Sequence, residues 1–261
     1  LILTQSTREI SRFCNLNDQS WITAVIPLSK IPADALTLIG FRRFFHESVL
    51  TLKLGIPVVI AQILLISMQF VDTVMAGHVS ARDLAALGIA TALFHPLLLL
   101  MVGVLMAVTP MVAQLKGSQR DDRISKVVAD ALQLSLVFAL PLILLLHLLE
   151  TLMEFIGYPE EVSRIGDGYL QAVAWGVPAM LAYDVFRHFN EGVALTRPNM
   201  YFHIVGLMLN ILGNYTLMFG HFGFPAMGAV GAGWSTALVW NMMFLMMILF
   251  SFKNSRLRKY L

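Results

Sequence analysis

The sequence predicts an all-α membrane protein built as a six-transmembrane-helix bundle. Three observations carry that expectation. Of its 261 residues 57% are apolar, only 13% are charged, and the apolar residues gather into six long runs. A soluble domain carries roughly 25% charged residues, so half that share leaves too little polar material to cover a globule. The mean hydropathy of +0.74 agrees. This composition excludes a soluble enzyme, a disordered protein and an ordinary nucleic-acid binder. A single cysteine, Cys14, excludes an internal disulfide framework and a Cys-based zinc site.

A helix crosses the roughly 30 Å hydrocarbon layer with about 20 mostly apolar residues. The runs that qualify are 54–76, 84–114, 124–148, 165–186, 199–219 and 230–252. The first carries Pro57 and has no charge from Leu54 until Asp72. The second is long for one crossing, so it is expected to tilt, kink or project into water, with Pro96 and Pro110 as the residues that would kink it. Polar segments at 77–83 and 116–122 flank it, and an acidic run at 150–161 follows the third. The fourth contains Pro178, where a static kink and a functional bend are equally compatible with the sequence. The sixth opens on Gly228-Ala-Val-Gly-Ala-Gly233, which lacks the Lys of a phosphate loop and reads as close helix packing.

The basic residues set an orientation. Thirteen of the eighteen Lys and Arg fall in the even-numbered loops or at the two ends, just before the first run and just after the sixth, whereas the odd-numbered loops hold only Arg82 and Arg164. The positive-inside rule puts the thirteen, and both ends, in the cytoplasm. Residues 1–41 read differently. They lack the compact apolar stretch of a signal peptide and begin with Leu1. They are expected to be a disordered leader or translated upstream sequence, with an interfacial helix at 33–47 as the lesser alternative.

Catalytic signatures are missing. There is no Gly-x-x-x-x-Gly-Lys-Ser/Thr run, no His-Glu-x-x-His and no Gly-x-Ser-x-Gly. The expectation is no enzyme, no cofactor and no catalytic residues.

Function is expected where polar groups stand at a cost. A charged residue within a span costs about 2.5–3.5 kcal/mol on insertion scales and turns towards protein. Asp72 lies about five residues, or roughly 8 Å, inside the outer end of the first span. At 100° per residue Gln62, Gln69 and Thr73 share one face and Asp72 is adjacent, so a polar stripe leads to the carboxylate. The fifth span carries Asn210 and Asn214 one turn apart. With Ser235 and Thr236 near the start of the sixth, three helices place Asp72, Asn214 and Thr236 at similar depth. Carboxylate, amide and hydroxyl oxygens suit a proton or a small cation, with a sodium site at Asp72 and Asn214 as one version. Inter-helix hydrogen bonding is the alternative for the Asn and Thr residues. Asp130 and Asp184 are near enough to the cytoplasmic side for solvation or pairing. Arg187 and Glu191, spaced i, i+4 between spans four and five, are expected to form a structural salt bridge. Glu150, Glu154, Glu160 and Glu161 read as a solvated outer loop.

These residues fall into a recognisable order. Phe70-Val-Asp-Thr-Val-Met-Ala-Gly77 resembles the first-helix signature of the MATE (multidrug and toxic compound extrusion) family, closest to its NorM-type branch. Val112-Ala-Gln-Leu-Lys-Gly117 follows. Next come Arg187 through Gly192, Thr196-Arg-Pro-Asn-Met200, Leu209-Asn-Ile-Leu-Gly-Asn-Tyr215 and Gly228 through Thr236. The likeness covers about 42–260, so residues 42–261 are expected to be a MATE-like amino-terminal lobe and 1–41 a leader outside the family pattern.

The resemblance implies one lobe of a twelve-helix antiporter. It implies export of organic, often cationic, compounds and drugs in exchange for sodium ions or protons, across a bacterial inner membrane. It assigns the coupling role to Asp72, with Asn210, Asn214 and Thr236 as partners, and bending to Pro57. Six helices account for this chain, so a second six-helix lobe would be a missing partner. The chain would then be a fragment, a truncated gene product or a half-transporter. Two other expectations compete: a non-transporting remnant, and a lipid-intermediate flippase of the same superfamily. His188 and Asn190 depart from the pattern, which has smaller or apolar residues there.

Overall fold

Among the described residues six apolar runs become eight helices, because proline and glycine divide two of the runs, and a short ninth helix follows the sixth run. The computed structural model describes the backbone of residues 33–260, and the side chains from residue 46 except at 150–152, 154, 155, 256 and 261. Of the expected leader, residues 1–41, the first 32 lie outside the described residues, while 33–41 are helical rather than disordered and open the first helix. Two units divide at Leu52/Lys53, and the architecture that follows is that of Lys53–Leu261.

The helices are α1 (Ala33–Val79), α2 (Ala81–Leu105), α3 (Val108–Gly117), α4 (Ile124–Ile156) and α5 (Glu160–Ala174). They continue with α6 (Val177–Gly192), α7 (Arg197–Leu217), α8 (Ala229–Lys253) and the short α9 (Ser255–Arg258). A 3-10 turn, Asp121–Arg123, precedes α4. Among the described residues there is no strand. Four stretches are long and apolar enough to cross a membrane: His46–Val79, Ala81–Gly117, Asp121–Leu149 and Ala229–Lys253. The other two expected spans are helical but less apolar: α5–α6 is divided, and α7 turns His203, Asn210 and Asn214 inwards.

The second run breaks at Met106–Ala107, between α2 and α3. Pro110 has no N–H for the Met106 carbonyl four residues earlier, and Thr109 N–H takes that carbonyl at 3.2 Å instead. Pro96 interrupts nothing, since α2 runs through it. The fourth run breaks at Trp175–Gly176, where the Gly176 N–H turns to Val173 O at 2.8 Å. Pro178 stands at the start of α6. A side chain at Gly176 would meet Ala237 Cα at 2.8 Å, so the backbone at this break passes close against α8. Pro57 remains inside an unbroken α1. Both α4 and α6 extend beyond the expected runs. Ile156 ends α4 inside the segment read as an outer acidic loop, and Arg187 and Glu191 are helical residues of α6 rather than loop residues.

α8 is the centre of the packing, against α5, α6 and α7; α4 packs on α5 and α6, α2 on α5, and α3 on α6. Small residues permit these approaches, as expected where helices cannot rely on a hydrophobic drive. A Cβ at Gly233 would stand 2.7 Å from Tyr169 O, and one at Gly231 2.6 Å from Leu217 O. Thus the glycine run that opens the sixth span does serve packing. Gly228 adopts φ 58°, and its turn brings the Ala229 N–H to 2.7 Å from Asp83 Oδ1. Asp83 belongs to α2, where Ser80 caps the helix by accepting the Asp83 N–H at 3.0 Å. One carboxylate therefore joins the starts of α2 and α8. In α1, by contrast, Gly55 has nothing within 4 Å. From Lys53 onwards this helix reaches its neighbours by side chains rather than by close backbone approach.

Candidate functional site

A cavity of about 550 Å³ lies between the polar stripe of α1 and helices α2, α5, α6, α7 and α8. Gln62, Gln69, Asp72 and Thr73 all line it, as their shared face predicts. Thr73 Oγ1 donates to Gln69 O at 2.9 Å, which hides its polarity inside α1. Gln69 Nε2 stands 2.7 Å from His95 Nε2 on α2.

Asp72 is 7% exposed, and its partners come from two other helices. Asn210 Nδ2 donates to Asp72 Oδ1 at 2.9 Å, and Asn214 Nδ2 donates to the same oxygen at 2.5 Å. Thr236 Oγ1 donates to Oδ2 at 3.5 Å, a weak contact. The local sequence explains the convergence. Asn210 and Asn214 are one turn apart on α7, so both amides reach the same atom. Ser235 Oγ bonds Asn210 O at 3.3 Å, and Gly213 lets α8 approach closely enough for that. All four residues expected at the coupling site are therefore together. Both asparagines are fully buried, and their amide oxygens have no hydrogen-bond partner. No Lys, Arg or His nitrogen among the described residues lies within 4.0 Å of Asp72.

The wall opposite Asp72 carries a second polar group that sequence reasoning gave only a structural part. Asp184 and Arg187 of α6 both line the cavity, with Arg187 Nε 3.0 Å from Asp184 Oδ1. The expected Arg187–Glu191 ion pair is not formed: α6 is helical here, and Arg187 turns back one turn to Asp184 while Glu191 faces His188 at 3.4 Å. His188 and Asn190, the two departures from the family pattern, are both buried in polar contacts. Thr109 of α3 bonds His188, and Asn190 Nδ2 donates to Asn199 Oδ1 at 3.3 Å. An i, i+3 spacing of Asp184 and Arg187 was the signal available for their pairing, but nothing in it marks a cavity wall. Pro57 is not among the cavity-lining residues.

The acidic residues of the segment 150–161 are described in part. Glu161 pairs with Arg82 at 2.5 Å, joining α5 to α2 on an exposed surface. Side chains at 150 and 154 lie outside the described residues. The last residues of the chain turn back on the bundle. Tyr260 packs edge-on against Phe189 with ring centroids 6.1 Å apart, and Lys259 Nζ pairs with Asp121 at 2.9 Å.

A family model described as MatE matches residues 57–216. The chain is 42% identical over 208 residues to the multidrug resistance protein NorM of Photobacterium profundum, covering 80% of this chain and 46% of that protein. It is 39% identical over 215 residues to the NorM of Vibrio cholerae, covering 82% of this chain and 47% of that protein. The chain thus spans about half the length of the curated relatives it matches, their amino-terminal half. Two solved structures show the same fold. A eukaryotic MATE transporter aligns with TM-score 0.75 and 17% identity, over 83% of this chain and 48% of that one. A MOP superfamily transporter from Pyrococcus furiosus aligns with TM-score 0.71 and 19% identity, over 81% and 46%. The helical lobe, its order of motifs and these matches agree: the chain belongs to the MatE family and has the fold of one half of a MATE transporter.

Proposed function

We propose that this chain is the amino-terminal lobe of a multidrug efflux antiporter, exporting organic and often cationic compounds in exchange for sodium ions or protons. It acts by transport rather than catalysis, with a second lobe completing the central cavity. The inner membrane is its place, with both ends cytoplasmic, as the distribution of basic residues suggests.

One observation carries the reading: Asp72 is a buried carboxylate neutralised by no side-chain cation among the described residues and held by two amide donors on one oxygen. Oδ2, with only the long Thr236 contact, is the oxygen with accepting capacity left. A proton or a cation arriving from the cavity meets that atom. The two readings of the ion differ in what the amides do. A proton on Oδ2 leaves both amides as they are. A sodium ion calls for oxygen ligands, so at least one of Asn210 and Asn214 would turn its unpartnered Oδ1 inwards. Either ion removes the net charge of Asp72, weakens its hold on α7 and frees the sparsely packed α1 to move.

The test uses the gene's complete reading frame in an efflux-deficient strain. The reading expects resistance to ethidium that Asp72→Asn abolishes; unchanged efflux in Asp72→Asn would sink the coupling role. The 261-residue chain expressed alone addresses the remnant alternative, because restored resistance would eliminate it.

A further inference from the structure

Asp184 is as buried as Asp72, at 7% exposed, and faces the same cavity. Its partner Arg187 stands close but badly aimed: Nε is 3.0 Å from Oδ1, yet that N–H finds no hydrogen-bond acceptor. Charge is the main hold on this pair, and with Nε poorly aimed it lacks the full strength of a forked, two-bond contact. Glu191 lies one turn beyond Arg187 on the same side of α6.

The charge count of this cluster is uneven. Arg187 Nη2 approaches His188 Nε2 at 3.3 Å, and a guanidinium has no acceptor, so the imidazole nitrogen must accept. His188 Nδ1 stands 3.1 Å from Thr109 Oγ1 and 3.4 Å from Glu191 Oε2, so the imidazole bridges α3 and Glu191. Lys116, the nearest cation on α3, is committed to Val193 O at 2.6 Å. Asp184, Glu191 and Arg187 thus leave one surplus negative charge, and the cavity beside them has aromatic walls in Phe94, Tyr169 and Trp240.

We propose that Asp184 is a specificity-determining residue that takes the cationic group of an amphipathic organic cation, while Arg187 transfers to Glu191. The exchange ends with two carboxylates facing two cations, so no buried charge is left without a partner, and aromatic faces receive the ligand's delocalised charge. This assignment rests on the antiport reading and deepens it, giving Asp72 the coupling ion and Asp184 the substrate.

The experiment is equilibrium binding of tetraphenylphosphonium to the protein from the complete reading frame in lipid nanodiscs. Neutral triphenylphosphine oxide serves as the matched control. Asp184→Asn is expected to weaken the phosphonium about tenfold and leave the oxide unchanged, while Asp184→Glu retains both. Glu191→Gln, which does not line the cavity, is expected to weaken the phosphonium as well, because Arg187 then has no second carboxylate. Phosphonium binding by Asp184→Asn equal to the parent overturns the proposal, as does equal loss of both ligands, which would mark a packing role. A parent protein that binds neither ligand overturns the antiport reading itself and the proposal with it.

Discussion

Asp72 and Asp184 line one cavity and are equally buried, yet their charges are met in opposite ways. Asp72 meets neutral amides from α7, whereas Asp184 meets a guanidinium from its own helix. Amide donors stabilise a carboxylate without cancelling its charge, so the state of Asp72 depends on what arrives from outside. An arginine cancels the charge from within, so Asp184 responds only to something that displaces it. The surrounding packing follows the same division. Asp184 is set in the tightly packed α6, where a Cβ on Gly192 would collide with α3. Asp72 is on α1, which lacks such close approaches. The carboxylate met only by neutral donors is thus on the helix with the fewest close backbone approaches.

The largest effect that would sharpen this contrast is on stability. Arg187→Ala leaves the buried Asp184 without its cation and is expected to cost about 3–5 kcal/mol, read as a fall in the thermal unfolding midpoint in detergent. Asp72→Asn removes a charge that has no cation partner and is expected to leave that midpoint nearly unchanged. Equal losses in the two variants would break the comparison. Next in size is Asn214→Leu, which strips the shorter donor from Asp72. It should cost roughly 1–3 kcal/mol of carboxylate stabilisation, visible as weaker coupling of drug export to the ion gradient, with Asn210→Leu milder. Last comes the contact of Lys259 and Tyr260 with Asp121. Lys259 holds the Asp121 carboxyl below its ordinary value of 3.8 by hydrogen bond and charge. A lowered folded pKa means the contact stabilises above the ordinary value and is lost as pH falls through the lowered one. Because the pair is exposed, Asp121→Asn should only slightly quicken proteolysis near Tyr260 at neutral pH, and acidification through the lowered value should remove the difference.

How much of this was legible in the sequence follows from the range of each interaction. Depth along a helix is a local property, and it placed Asp72, Asn214 and Thr236 together before any fold was known. Helical phase added Asn210, and glycine spacing announced the packing of α8. Azimuth between helices is not local. The meeting of Asp83 with the start of α8, and the turning of Asp184 and Arg187 into the cavity, depend on how each helix is rotated in the bundle. Proline was half informative for a similar reason. Pro110 and Pro178 accompany breaks, while Pro57, Pro96 and Pro141 are carried inside helices, and only the surrounding packing distinguishes them.

The central claim is that Asp72 couples ion entry to export. Its most direct test is gradient-driven ethidium counterflow in vesicles carrying the protein from the complete reading frame, parent against Asp72→Asn. The account predicts that an imposed inward sodium or proton gradient drives export by the parent and none by the variant. Export by Asp72→Asn that rises with the gradient as steeply as in the parent would contradict it.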